Sequence, residues 1–355
     1  MTLCSLLNTR AKVFRPPGFR SSCPADAPNF LCRRMGGQRD SLLSLHLTLK
    51  RNRPLGLFGT LVLILGFHLG CAHNKSQTET SKQIREITDD AGRRVVVPLR
   101  IDRVISLAPN LTEIVYAVGA GNRLVGDTSY CDFPEAAKTV ERVGDTLHPS
   151  LERIIALRPQ LVLVSTASQL EVFTHQLEHQ DIAVFVTDPH DLEGVFRSIN
   201  QLGAILGQDD QAKQLIEQLR TRAAAVEAAV MHTQPIRVFY QLSAEPLYTA
   251  GHDAFVTDLI RRAGAISVTA DVPGAWPKYS AESALAARPE AIVLPTGGSM
   301  GDGNSTVAES LQRSPAVVQG KVYKINDDHL VRPGPRAVDG LEEMARALHP
   351  DVFKR

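Results

Sequence analysis

One phrase occurs twice in this chain, and it limits the fold more than anything else in the sequence. Residues 150–164 read SLERIIALRPQLVLV, and residues 280–294 read SAESALAARPEAIVL. Ser, Glu, Arg-Pro and an apolar exit run fall at matching places. Repetition this far apart predicts two similar lobes, each built around one copy. Each copy carries a glutamate two residues after its serine, Glu152 and Glu282. Two lobes related by a pseudo-twofold would present one carboxylate each, and such a pair suits docking onto a symmetric dimer.

The local chemistry of the phrase is plain. Ser150 and Ser280 are N-cap candidates, because a hydroxyl accepts an orphan backbone N–H at a helix start. Glu152 and Glu282 then lie in a first turn, where the helix dipole favours negative charge. Short helices follow over Leu151–Leu157 and Ala281–Ala287, and the Arg158-Pro159 and Arg288-Pro289 steps end them. The runs Leu161–Val164 and Ala291–Leu294 do not alternate, which predicts strands buried on both faces of a parallel sheet. A single first-turn glutamate would be an ordinary capping charge. Its recurrence in a duplicated unit points to function.

The first part of the chain follows another pattern. Residues 50–53 are a basic cluster, and Leu55–Leu69 is an apolar run containing three glycines. A membrane span needs about 20 apolar residues, so this run fits the h-region of a signal peptide. It ends Leu69-Gly70-Cys71, like a bacterial lipobox in which Cys71 becomes the lipidated N-terminus, although His68 stands where such sites carry an aliphatic residue. An uncleaved anchor helix is the other reading. Either one puts the bulk of the chain outside the cytoplasm, in the periplasm or at the cell surface, on a membrane anchor. Met35 offers an alternative start. Of the five cysteines, Cys4, Cys23 and Cys32 precede this point, which leaves Cys131 as a small semi-buried residue with no disulfide partner.

The rest divides by its rhythm. Residues 1–70 are extension and signal peptide, 71–83 a polar tether, 84–190 a first α/β lobe, 191–232 a helical connector and 233–355 a second α/β lobe. Residues 84–98 read as a hairpin, and strands and helices then alternate as parallel α/β folds require. Asn110 and Glu113 resemble a capping box. Residues 191–232 hold no strand signal. A helix over 192–206 precedes a longer one over 209–231, with Leu215, Leu219, Ala223, Val226 and Val230 on one face. The longer helix would span over 30 Å at ~1.5 Å per residue, and is expected to be one rigid rod between the lobes. The architecture predicted is two Rossmann-like α/β lobes joined by one long interdomain helix. A net charge of +1 leaves no footprint for nucleic acid.

Several segments carry a resemblance to a known family. They are RVISLAPNLTEIVYAVGA from Arg103, the loop Ser129–Pro134, the two repeat units, VFYQLSAEPLYTAG over 238–251, Ala275–Pro277, and DHLVRPGPR over 328–336. Over roughly residues 84–350 the chain resembles the periplasmic substrate-binding proteins of ABC importers for cobalamin and iron chelates, and within them the cobalamin binders most. The resemblance implies a monomer without cofactor, whose cargo sits between the lobes. It implies Tyr130 on one side of the ligand, with Tyr248 and Trp276 opposite. Asp328 and Arg332 match polar residues at the cleft mouth, and Glu152 and Glu282 match glutamates that engage arginines of the permease dimer. Cobalamin binders carry further aromatics where this chain has Thr146, Ser165 and Leu242. A corrin is a broad apolar plate with amide fringes, which aromatic walls suit. A ferric siderophore or haem is the rival cargo.

Other constellations carry less. His175 and His179 stand i, i+4, a spacing that can hold zinc, but no third ligand is evident nearby, so a metal-ion-binding lipoprotein is a distant alternative. The glycine-rich stretch 297–303 lacks the Lys-Ser/Thr ending of a phosphate loop. No nucleophile elbow or other catalytic centre emerges, and the chain reads as a binding protein, not an enzyme.

Overall fold

The structure, a computed structural model, describes residues 83–166, 171–297 and 306–354. The signal-peptide segment, Cys71, nearly all of the tether and most of the 297–303 stretch lie outside the described residues. Among the described residues no helix is long and apolar enough to cross a membrane.

The chain begins with an antiparallel hairpin, β1 (Ile84–Thr88) and β2 (Arg94–Pro98). The first lobe continues with β3 (Val104–Ser106), α1 (Pro109–Ala117), β4 (Leu124–Gly126), α2 (Leu151–Ala156), β5 (Leu161–Ser165), α3 (Glu171–Glu178) and β6 (Ala183–Thr187). Its strands run parallel in the order β4-β3-β5-β6. Two helices follow, α4 (Leu192–Ile205) and α5 (Asp209–Val230). The second lobe is β7 (Ile236–Ala244), β8 (Leu247–Thr249), α6 (Phe255–Arg262), β9 (Ala265–Ser267), α7 (Ala281–Ala286), β10 (Ala291–Thr296), α8 (Pro315–Val318), β11 (Val322–Asn326), α9 (Asp327–Val331) and α10 (Ala337–Leu348). Here β9, β7, β10 and β11 are parallel neighbours, and β8 folds back against the second half of β7. The parallel orders of the two sheets match strand for strand, so the repeat seen in sequence extends to topology.

The repeat also holds at the level of single bonds. The serines at 150 and 280 cap α2 and α7, accepting from Arg153 N at 3.4 Å and Ser283 N at 3.0 Å. Burial along 151–159 and 281–289 follows one pattern, and Arg158 and Arg288 both take the left-handed region at φ 47°. A polar side chain then ties each unit to its central strand. Gln160 Oε1 accepts from Arg103 N at 3.1 Å, and Glu290 Oε2 accepts from Arg237 N at 2.9 Å. The arginines return the contact, to Leu157 O at 3.0 Å and Ala287 O at 2.9 Å.

Strand alternation assigns the side chains to cores. Val104, Leu161 and Leu163 face one cluster, while Ile105, Val162 and Val164 face another on the outer side of the first sheet. In the second lobe Val238, Tyr240, Ala291 and Val293 face inward, and Phe239, Ile292 and Leu294 outward. The two inward sets belong to a single cluster, completed by Leu111 and Ile114 of α1, Ile199 and Leu202 of α4, Leu219 and Val226 of α5, Leu259 of α6 and Met344 of α10. One apolar core therefore runs beneath both lobes.

The connector holds the long helix expected over 209–231, with α4 packed back along it. Both α4 and α5 reach across, as a helical hairpin turning at Gly207 (φ 62°). The start of α4 is held to the second lobe by Leu192 N donating to Asp258 Oδ2 at 3.0 Å. Its end is held to the first lobe by Arg123, which donates to Leu206 O at 2.6 Å. From there α5 carries the chain to the second lobe, where Arg222 meets Asp339 at 2.6 Å and Glu342 at 2.9 Å on α10.

Two local readings are corrected. The first helix starts at Pro109 without a side-chain cap, so no capping box forms, because the Asn110 and Glu113 side chains bond to the second lobe instead. Cys131 is fully buried, between the hydroxyls of Thr112 and Thr128 at 3.1 and 3.3 Å. The strands β8 and β9, three residues each, are too short to show periodicity in sequence.

Close packing of α4 on α5 needs Gly203, where a Cβ would stand 2.3 Å from the Ala212 Cβ. Gly203→Val is expected to lower stability by about 2–3 kcal/mol through overpacking. Urea unfolding monitored by circular dichroism measures it, and an unchanged midpoint would show that the hairpin can part at no cost.

Candidate functional site

The strand C-termini of an open α/β sheet form the edge where ligands bind. In the first lobe the loop 127–134 follows β4 at that edge. It is fixed by Ser129 N donating to Gly144 O at 2.9 Å and by Arg142 donating to Thr128 O at 2.6 Å and Cys131 O at 3.1 Å. Tyr130, on this pinned loop, is half-buried. In the second lobe the corresponding edge carries α9 and the stretch Arg332–Arg336, directly after β11.

These two edges meet. Arg332 reaches from the second lobe to Asp132 Oδ1 at 2.8 Å, to Glu113 Oε1 at 3.4 Å and to the Tyr130 carbonyl at 3.3 Å. It also pairs with Asp328 at 2.9 Å. Arg336 grips the same glutamate with a fork, Nη2 to Oε1 at 2.6 Å and Nε to Oε2 at 3.0 Å. Its guanidinium lies 4.2 Å over the ring of Phe133. Asn110 donates to Pro333 O at 3.3 Å alongside. Side-chain exposure is 2% at Glu113, 6% at Arg332 and 9% at Asp328, so this is a buried ion network and not a surface pair. Isolated buried charges are expensive, which makes every one of these contacts necessary to the others.

The network reshapes proton affinities at its rim. Burial alone would raise the Asp132 carboxyl, but the Arg332 hydrogen bond and charge outweigh it and hold the group below the usual carboxylate range. Burial works against the Arg336 cation, yet the bond to Glu113 and the surrounding carboxylates raise its pKa. Asp327 behaves oppositely. Burial, then the charge of Asp328, push its carboxyl up to about 6 against the pull of Arg332.

Burial, then the charge of Asp327, push the Tyr240 phenol well above its ordinary pKa, and Tyr240 is half of an aromatic pair. The ring of Trp276, 37% exposed, lies 6.1 Å from that of fully buried Tyr240 at a tilt of 43°. The loop bearing Trp276 is laid against β8 and the residues after it, with Thr249 N donating to Pro277 O at 3.2 Å and Gly251 N to Ala275 O at 2.9 Å. Gly251 is required there, since a Cβ would meet Gly274 O at 2.2 Å. The same lacing brings half-buried Tyr248 opposite Lys278, so Tyr248 and Trp276 share one wall. Thr146 and Leu242 are half-buried and Ser165 buried.

Glu152 and Glu282 are exposed at the starts of α2 and α7, on helices that cover the outer faces of their sheets. His175 and His179 are exposed, with His175 engaged by Glu178 at 3.1 Å. Among the described residues, no three His, Cys, Asp or Glu side chains are grouped to hold a metal ion. Sequence reading missed Glu113, Asp132, Phe133, Arg336, Tyr240 and Asp327. The one signal in sequence was a pair of arginines close together on a proline-stiffened stretch, Arg332-Pro-Gly-Pro-Arg336.

The chain matches the periplasmic binding protein family over residues 104–328. An uncharacterized ABC transporter substrate-binding lipoprotein of Bacillus subtilis is 30% identical over 318 residues, 84% of this chain and 98% of that one. The vitamin B12-binding protein of Photorhabdus laumondii is 30% identical over 247 residues, 70% of this chain and 88% of that one. Among solved structures, the periplasmic vitamin B12 binding protein of Vibrio cholerae aligns at TM-score 0.65 and 27% identity, over 73% of this chain and all of that one (100%). A periplasmic heme-binding protein from Roseiflexus, in apo form, aligns at 0.64 and 26%, over 71% and 99%.

Asp327 makes stability depend on pH. A carboxyl raised to about 6 in the folded protein holds its proton more tightly than the unfolded chain, so its contribution is full below about pH 4 and is lost as pH rises through 6. Asp327→Asn removes that slope. The stability of the variant relative to the wild type is expected to rise by on the order of 1–2 kcal/mol between pH 4 and 7.5. Urea unfolding at both values checks it, and a pH-independent difference would show that Asp327 is charged throughout.

Proposed function

The chain belongs to the periplasmic binding protein family, as the substrate-binding component of an ABC importer, and we propose that its cargo is a corrinoid such as cobalamin, held between the lobes and handed to the permease. In this reading the protein is a lipoprotein anchored through Cys71 and working outside the cytoplasm. It is a transport component and carries out no chemistry on its cargo.

The observation that carries the choice of cargo is the charge balance between the lobes. Two arginines, Arg332 and Arg336, meet three carboxylates, Glu113, Asp132 and Asp328. Such a floor has no net positive charge to offer an anionic ligand, but its fixed donors and acceptors suit a neutral one fringed with amides. Trp276 on Tyr240, with Tyr248 on the same wall, supplies apolar faces of the kind a corrin plate needs. The likeness to a heme-binding protein favours a second reading, haem or a ferric siderophore. Haem carboxylates and the anionic iron chelates ask for uncompensated cations, and here both arginines are engaged by acids.

Delivery follows from the duplicated unit. Glu152 and Glu282 begin helices that stand in equivalent positions on their sheets, so a permease dimer with one basic patch per subunit would find one carboxylate per lobe. Exposed charges of this kind set register and association rate more than affinity.

Two outcomes are expected. Cobalamin quenches the emission of Trp276, the single tryptophan, in a fluorescence titration, whereas unchanged emission at saturating cobalamin moves the assignment to the iron chelates. Glu152→Ala with Glu282→Ala leaves ligand affinity as it is and lowers uptake about tenfold or more in a reconstituted vesicle assay. Uptake at the wild-type rate would remove the glutamates from docking.

A further inference from the structure

Glu113 lies in the first lobe, 2% exposed, yet both cations that it binds come from the second. Those cations stand at the two ends of one stiff stretch, Arg332-Pro-Gly-Pro-Arg336, whose prolines restrict the backbone. Gly334, in the middle, approaches the start of α1 so closely that a Cβ on it would lie 3.4 Å from the Asn110 Cβ. The carboxylate uses both oxygens on Arg336 and one again on Arg332. No other described acid touches both arginines from across the gap. Asp132 reaches Arg332 alone and is 40% exposed, and Asp328 belongs to the arginines' own lobe.

We propose that Glu113 is a positioning residue of the cleft which also selects ligand charge: by holding Arg332 and Arg336 against the first turn of α1, it sets the spacing of the lobes before ligand arrives and takes up the positive charge that an anionic ligand would seek. The spacing half rests on the contacts alone. The selectivity half rests on the cleft being the cargo site, as argued above. Neutralising Glu113 leaves the two guanidiniums with one fewer acid, which loosens the floor and removes its net negative charge, so that an anionic ligand is no longer repelled. A purely structural residue would weaken every ligand alike, whereas this one moves anionic and neutral ligands apart.

The test has two arms on the full chain. In the first, Asn110→Cys with Gly334→Cys places two thiols about 3.4 Å apart at Cβ, near the short end of the disulfide range of ~3.5–4.5 Å. Each single cysteine variant controls for the native cysteines. Oxidative closure is expected to be about tenfold slower when Glu113→Gln is added, because one partner of a buried charge network is lost. Closure at an unchanged rate would overturn the positioning role.

The second arm titrates haem and dicyanocobinamide against the wild type and Glu113→Gln. Haem affinity is expected to rise about tenfold relative to dicyanocobinamide, the scale of one charge contact. Equal shifts for both would overturn the selectivity. Should Glu113→Gln lose its fold by circular dichroism, Asp132→Asn, altering a half-exposed partner of Arg332, is expected to change both readouts in the same direction by a smaller factor. A wild type that bound neither probe would refute the cargo assignment and with it the selectivity, while the closure rates would still decide the positioning role.

Discussion

Neither sheet of this protein can bury its inner face alone. Val104, Leu161 and Leu163 on one sheet, and Val238, Ala291 and Val293 on the other, close onto the same set of helices. Burying apolar surface contributes roughly 25 cal/mol per Å², so a layer shared by two lobes is a strong bond between them. It also restricts motion. Lobes that swing widely would peel apolar side chains of α1, α4, α5, α6 and α10 from one another and wet them. The helical hairpin of α4 and α5 adds polar ties at both ends, through Asp258 and Arg123. Small adjustments about a nearly fixed spacing are what such a core permits.

The polar network around Glu113 is the counterpart of that core on the cleft side. It is specific where the apolar contact is not, because a forked guanidinium accepts only one arrangement of a carboxylate. Core and network together tie the Tyr130 loop of the first lobe to Arg332 of the second, and fixed spacing of this kind lowers the ordering cost of binding. On the outer flanks, the duplicated units with Ser150 and Ser280 keep Glu152 and Glu282 in equivalent settings. The Gln160–Arg103 and Glu290–Arg237 ties show that this equivalence is built into the backbone.

Much of this was legible in sequence. The apolar runs 161–164 and 291–294 marked central strands, because a strand buried on both faces leaves an unbroken run. The helices of 191–232 were visible through their 3.6-residue periodicity, and the N-cap serines through their spacing to the following glutamates. What misled was Glu113. Three residues after Asn110 it resembles a capping box, and local spacing cannot reveal that two arginines more than two hundred positions away claim the same carboxylate. Arg336 was passed over for the same reason. Tyr240 reads as an ordinary strand residue until packing sets its ring 6.1 Å from that of Trp276.

The sequence by itself determined the architecture: a duplicated α/β unit, parallel strands, a helical bridge and a matched first-turn glutamate in each copy of the repeat. Each of these is a local pattern, set by side-chain period, capping chemistry and proline stops within a few residues. Only the tertiary structure decided which residues tie the bridge to each lobe, that one core serves both lobes, and that Arg332 and Arg336 are neutralised across the cleft. Those outcomes depend on which distant surfaces meet, and the pairing of buried charges is settled by position in space, not by distance along the chain.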